Sequence, residues 1–220
     1  MFLHLLCRVR IEGGEHIPAH GGVLLASNHL SMLDTLLIPY SVMAIQGMHI
    51  VWAPSKAELF RLPLLRHILA SWGAFPVQRG RSDLRAMRRV ITHMRTEQVM
   101  LFPEGTRSRD GRLGVGQRTV GKFIYMARPV VIPTAVWGTD RVLPSGQRWP
   151  RFRTPIGVRY GKPLDLQRYY DLPDTKETAM AIVGEVMRAI ARLLPAQQQT
   201  VAVAALDMGA QGSHHESANA

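Results

Sequence analysis

Val23-Leu-Leu-Ala-Ser-Asn28-His29-Leu-Ser-Met-Leu-Asp34-Thr-Leu-Leu-Ile38 is the stretch that organises the rest of the chain. Its four opening apolar residues, directly after Gly21-Gly22, predict a short buried strand over residues 23–26. The polar Ser27, Asn28 and His29 then lead to Leu36, Leu37 and Ile38, which predict a helix. A histidine is thereby set where a strand ends and a helix begins, the natural place for a site in an α/β domain.

The same alternation continues downstream. Strands are expected over residues 49–53, 74–77, 99–102, 130–136 and 156–160. Helical segments are expected over 55–60, 63–72, 121–128 and 177–194, with Pro63 suited to a first helical turn. Ser82 is placed to cap a further helix whose Leu84, Met87, Val90, Ile91 and Met94 recur at helical spacing. Arg85, Arg88, Arg89 and Arg95 decorate its other faces. This pattern predicts one α/β domain over residues 1–195. Beyond Pro195 the composition shifts to Gln, Ala, Gly, Ser and His, which predicts a disordered tail over 196–220.

Composition bounds the function. The 220 residues (24.6 kDa) are 46% hydrophobic and 20% charged, enough apolar surface for a core and too much for wholesale disorder. A formal charge of +11 and a pI near 10.8 point to anionic partners: phosphorylated metabolites, nucleic acid or an anionic membrane. Cys7 is the only cysteine, which excludes an intrachain disulfide and a thiolate metal cluster. The apolar run over residues 1–6 is too short before Arg8 and Arg10 for a cleavable secretory signal. Residues 35–55 carry no Asp, Glu, Lys or Arg, yet Pro39, Gln46, Gly47 and His49 split the stretch, so no spanning helix is expected.

His29 and Asp34 admit two readings. A carboxylate five residues on can fix the tautomer of an imidazole acting as a base and stabilise the imidazolium that forms. Alternatively, Ser31-Met-Leu-Asp34 fits a capping box, with Asp34 serving the helix N-terminus. Phe102-Pro-Glu104-Gly105-Thr106-Arg107-Ser108 follows another apolar strand and offers hydroxyls and a guanidinium to a phosphate, or forms an ordinary turn. Gly73-Ala-Phe-Pro-Val-Gln-Arg79 puts an arginine after a third strand, for phosphate or for solvent.

Other chemistries fail on the residues. The P-loop spacing at Gly116 to Lys122 has Phe123 where a magnesium-binding hydroxyl belongs. No Gly-x-Ser-x-Gly elbow occurs. The arginines between Arg79 and Arg95 lack the interleaved aromatics of a nucleic-acid binder.

Taken in order, these motifs resemble the glycerolipid acyltransferase family, the lysophosphatidic acid acyltransferases. Asn28, His29 and Asp34 match its Asn-His-x4-Asp, and Phe102 to Ser108 matches its third motif without a substitution. Gly73 to Arg79 resembles the second motif, with Gln78 in place of its usual aspartate, and Val131 to Ala135 the fourth. The resemblance covers about residues 9–190 and implies a mixed sheet flanked by helices, with the site at strand–helix transitions. It implies acyl transfer from acyl-CoA or acyl carrier protein to the free hydroxyl of 1-acylglycerol 3-phosphate, in phospholipid biosynthesis. His29 would be the base and Asp34 its partner; Arg79, Glu104, Gly105, Thr106 and Arg107 would hold the acceptor; Pro133 would belong to the donor side. It implies no metal, no bound cofactor and no nucleic acid. Another lysolipid or amino-acid lipid as acceptor, or a non-catalytic module for anionic lipid, stays open. Many relatives carry N-terminal helices that enter or lie on the membrane, whereas this chain reaches the strand at residue 23 early. A cytoplasmic enzyme held peripherally on the inner face of the cell membrane is therefore expected, with Arg85, Arg88 and Arg89 as the basic contact.

Overall fold

The computed structural model describes residues 8–61, 63–77, 84–144, 151 and 154–198, apart from the side chains of 63–65, 68 and 197. Segment 1–6, Arg79, the expected cap Ser82 and residues 199–220 of the expected tail lie outside the described residues. Strands β1 (Arg8–Glu12), β2 (Val23–Ser27), β3 (Val51–Lys56), β4 (Ala74–Val77), β5 (Gln98–Leu101), β6 (Val130–Trp137) and β7 (Pro155–Tyr160) form one sheet. Its order is β1-β7-β6-β2-β5-β3-β4. From β6 to β4 all strands run parallel, while β7 pairs antiparallel with β6 and β1 lies parallel to β7. The mixed sheet is as expected.

Alternation along the strands divides the core between the two faces. Leu24, Ala26, Val99, Leu101 and Val131 belong to a cluster covered by α3 (Leu84–Thr96), α4 (Arg118–Ala127) and α7 (Lys176–Leu193). Val23, Leu25, Met100, Ile132 and Val136 face the other way, under Leu37, Ile38 and Val42 of α1 (Asp34–Gln46). Short helices α2 (Pro63–Ser71), α5 (Thr139–Val142) and α6 (Gln167–Tyr170) complete the framework. The central strands are buried on both sides, which is why they read as unbroken apolar runs.

Several expectations shift. β1 was not anticipated: Arg8, Arg10 and Glu12 alternate with Val9 and Ile11 in an edge strand, where charge discourages further pairing. Its Glu12 accepts from Arg159 Nε at 2.6 Å across to β7. Residues 55–56 continue β3, and a 3-10 turn at Ala57–Arg61 replaces the expected helix. α4 starts at Arg118, three residues before Gly121. Ala196–Gln198, expected in the tail, form a 3-10 turn whose Gln198 carbonyl accepts from the Leu113 N–H at 2.9 Å.

Candidate active site

β6, β2 and β5 are neighbours and parallel, so the segments that follow them emerge along one edge. Asn28 and His29 follow β2, Phe102 to Arg107 follow β5, and Gly138 and Thr139 follow β6. Asn28 binds the β6 backbone twice: Nδ2 donates to the Val136 carbonyl at 3.0 Å, and Oδ1 accepts the Val136 N–H at 2.8 Å. The second motif reaches the same edge. Val51 is level with Gln98 and hence with Val23, and Lys56 is level with Val77, so β4 ends at the height of Asn28. It does so three strands away from β2, about 14 Å at the usual strand spacing.

The structure brings His29 and Asp34 together. Nδ1 of His29 lies 2.9 Å from Asp34 Oδ2. The same oxygen accepts the N–H groups of Leu30 at 2.6 Å and Ser31 at 2.7 Å, while Oδ1 accepts the Thr139 hydroxyl at 2.5 Å. The dyad and the capping box thus share one carboxylate. Asp34 does bond back to the Ser31 N–H, and the Ser31 hydroxyl accepts the Leu33 N–H at 3.3 Å while donating to the Leu143 carbonyl at 2.8 Å. A carboxylate with no exposed surface persists only because four donors replace its water. Since it can only accept, His29 carries its proton on Nδ1, and Nε2 is the basic nitrogen. Phe102 stacks on the imidazole at 3.9 Å and 12°, limiting its rotation.

Glu104 holds the backbone on which His29 stands. Its Oε1 accepts the His29 N–H at 3.0 Å and its Oε2 the Gly114 N–H at 2.9 Å. Burial pushes this carboxyl above its ordinary range, and the two N–H donors oppose that shift. The His29 carbonyl in turn accepts from the Ser108 N–H at 2.7 Å, so the loops after β2 and β5 are cross-linked at this histidine. Gly105 turns the chain at φ 70°, a left-handed conformation that glycine adopts without strain. Beyond it, Thr106, Arg107, Arg109 and Arg112 line a cavity of about 530 Å³ that Glu104 also borders. Asp110 shapes this loop by accepting from the Ser108 hydroxyl at 3.0 Å and the Arg112 N–H at 3.1 Å. Fixed donors to Asp34, and an arginine-lined cavity bordered by the Glu104 and Ser108 that bond the His29 backbone, suit proton removal near a bound anion.

A model of the acyltransferase family, described simply as Acyltransferase, matches residues 8–137, which include the His29 and Glu104 loops. The chain belongs to the acyltransferase family. A chloroplastic 1-acyl-sn-glycerol-3-phosphate acyltransferase of Arabidopsis thaliana is 31% identical over 163 residues, covering 71% of this chain and 44% of its own length. A 1-acyl-sn-glycerol-3-phosphate acyltransferase of Bacillus subtilis is 25% identical over 195 residues, covering 88% of this chain and 92% of its own. The chain therefore spans less than half the length of the Arabidopsis relative but nearly all of the Bacillus one. The crystal structure of the 1-acyl-sn-glycerophosphate acyltransferase of Thermotoga maritima superposes with a TM-score of 0.65 at 24% identity. It covers 86% of this chain and 73% of that one, and it supports the fold.

Within this acyltransferase fold, four site residues escaped the sequence reading. Thr139 meets Asp34 across 105 residues of chain, a contact no local spacing reveals. It is delivered by Gly138, whose φ of 80° turns the chain out of β6; a Cβ there would lie 2.3 Å from the Pro155 carbonyl oxygen. Phe102 was quoted as part of a motif, but its stacking on His29 depends on β2 and β5 being adjacent. Arg109 and Arg112 were legible only as two more arginines after Arg107. Pro133 sits buried in β6, its carbonyl accepting from the Gly161 N–H at 2.8 Å.

Proposed function

We propose that this acyltransferase moves a fatty acyl group from a thioester, acyl-CoA or acyl carrier protein, to the free hydroxyl of 1-acylglycerol 3-phosphate, giving phosphatidic acid. The reading is carried by one observation: a buried dyad, its carboxylate held by four donors, is joined through Glu104 and Ser108 to a cavity lined by Arg107, Arg109 and Arg112. In 1-acylglycerol 3-phosphate the reacting hydroxyl and the phosphate lie on adjacent glycerol carbons. A base and an anion site must then adjoin, as His29 and this cavity do through Glu104 and Ser108.

His29 Nε2 takes the hydroxyl proton as the oxygen attacks the thioester carbonyl carbon. The new C–O bond forms, the C–S bond breaks, and the thiolate recovers the proton from the imidazolium. Asp34 stabilises that imidazolium throughout. Glu104 is a positioning residue, holding the His29 backbone, and Gly105 provides the turn into the arginine-bearing loop. Thr106, Arg107 and, after β4, Arg79 are read as acceptor ligands. The enzyme is read as peripheral, working from the cytoplasmic side of a membrane; no described helix is long and apolar enough to cross one.

Purified protein, supplied with an acyl thioester and a panel of acceptors, tests this by release of free thiol and by product mass. Turnover is expected with 1-acylglycerol 3-phosphate and to be much weaker with monoacylglycerol. Binding of phosphorylated lipid without any thiol release would reduce the protein to a lipid-binding module.

A further inference from the structure

α1 covers its face of the sheet with Leu37, Ile38 and Val42, whereas α3, α4 and α7 all lie on the other face. Its outward side is apolar as well. Leu36 and Met43 are exposed on one stripe of it, about 10 Å long, and the exposed Met32 precedes them in the turn before the helix. At the C-terminal end Met43 joins Pro39, Met48, Ile50 and Trp72 around an apolar groove of about 240 Å³. Met48 is 93% exposed and Ile50 54%.

No folding requirement accounts for this surface, since an exposed stripe contributes nothing to the core. From Thr35 to Ala57 the chain carries no carboxylate. The helix that ends at Ser71, one wall of the groove, displays Arg66 and His67 to solvent. Apolar side chains at the centre, with the basic Arg66 and His67 exposed on the helix that walls the groove, match an anionic lipid leaflet, into which such residues insert while the cations meet head groups. A soluble partner would need a complementary acidic rim of its own; a leaflet supplies it everywhere.

We infer that the outer face of α1, together with Met48, Ile50 and Trp72, is the membrane-docking surface of this protein. The inference rests on the substrate being a membrane lipid. His29 and Asp34 lie at the N-terminal end of the same helix, beside Met32 and Leu36, so docking by this face holds the dyad at the interface where acceptor head groups are found. It differs from the expectation that Arg85, Arg88 and Arg89 make the basic contact, and the experiment below decides between the two. They are exposed on α3, in the layer on the opposite face of the sheet, and Arg89 sits 4.8 Å over the Phe75 ring.

The test compares wild type with Met48→Glu/Ile50→Glu and with Arg85→Gln/Arg88→Gln/Arg89→Gln. Each is measured for sedimentation with vesicles of phosphatidylglycerol and phosphatidylethanolamine. Transfer is followed to a long-chain acceptor in those vesicles and to a short-chain acceptor kept monomeric. The Met48/Ile50 variant should partition at least tenfold less and lose vesicle-bound turnover in proportion. It should keep its melting temperature and its activity on the monomeric acceptor, because both side chains are exposed. The arginine variant should still sediment. Quenching of tryptophan emission by lipids brominated on the acyl chain should fall sharply in Trp72→Phe. Wild-type sedimentation of the Met48/Ile50 variant with release of the arginine variant overturns the inference. So does loss of a dimer in Met48→Glu/Ile50→Glu with vesicle binding intact, which would assign the face to a second copy. If wild type transfers nothing to any acceptor while Met48→Glu/Ile50→Glu still abolishes vesicle binding, the docking face stands and the transferase reading falls.

Discussion

Asp34→Asn separates the two duties of one carboxylate. The amide keeps a single accepting oxygen, and three of the four donors (His29 Nδ1, Leu30 N–H and Ser31 N–H) point at the Oδ2 position. The amide must therefore place its oxygen there and its NH2 against Thr139, whose hydroxyl can turn round and accept. The hydrogen-bond network survives, weakened, at a cost in folding of about 1–2 kcal/mol as charged bonds become neutral. Catalysis loses more. With Nδ1 and Oδ2 at 2.9 Å, the imidazolium and carboxylate charges are centred roughly 4 Å apart, an attraction of about 4 kcal/mol at an effective dielectric near 20. That attraction acts only when His29 is charged, so its loss lowers kcat/KM by about three orders of magnitude. Thiol release in stopped time courses gives the rate and urea unfolding gives the stability. His29→Ala should abolish transfer, and adding Asp34→Asn to it should cost little more, since the two act as a unit. A kcat/KM within about threefold of wild type, together with a lowered unfolding midpoint, would refute the dyad and leave Asp34 as a cap.

The remaining predictions concern the surroundings of the dyad. Arg107→Ala, Arg109→Ala and Arg112→Ala should each weaken use of a phosphate-bearing acceptor by about 1.5–3 kcal/mol, seen in kcat/KM, and leave monoacylglycerol nearly untouched; equal losses on both acceptors would mark a structural role. Arg79→Ala, after β4, is expected to behave in the same way. Glu104 binds its proton more tightly folded than unfolded, because burial raises it above the ordinary 4.5. Its contribution to stability is therefore greatest below that value and falls as pH rises through the interval up to the raised one. Glu104→Gln should flatten that part of the stability–pH curve in urea titrations, and an unchanged slope would contradict the assignment. Gly138→Ala forces a side chain into a left-handed turn 2.3 Å from the Pro155 carbonyl oxygen and should cost about 1–3 kcal/mol of stability while slowing turnover through Thr139; a variant with wild-type melting and rate would show that this turn does not hold Thr139 in place.

Local chemistry explains what was legible from residues alone. The central strands are buried on both sides, so they appear as apolar runs, and α7 repeats its buried Ile182, Val183, Val186 and Ile190 at helical spacing. His29 and Asp34 stand five positions apart across one turn, which is why spacing alone could suggest the pair. β1 is hard to see in the sequence because its five residues at a sheet edge bury only Val9, Ile11 and Glu12 in part and otherwise resemble a charged terminus. The 3-10 turn at Ala57–Arg61 reads as helix in the sequence because both present the same short-range apolar spacing.

What the chain determined by itself is therefore the set of elements and the chemistry offered at their ends: a base and a carboxylate after one strand, and a glutamate with arginines after another. Only the tertiary structure decided that these ends meet. The order β6-β2-β5 puts residues more than seventy positions apart within hydrogen-bonding distance, so Glu104 grips the His29 backbone, Phe102 stacks on its ring and Thr139 completes the shell of Asp34. The division of the helices between the two faces was likewise beyond local pattern. An uncharged stretch such as 35–55 has the same composition whether it is core, span or surface. Its outer side was left exposed because α1 lies on one face of the sheet while α3, α4 and α7 pack on the other, an arrangement fixed by long-range packing and not by any residue's own preference.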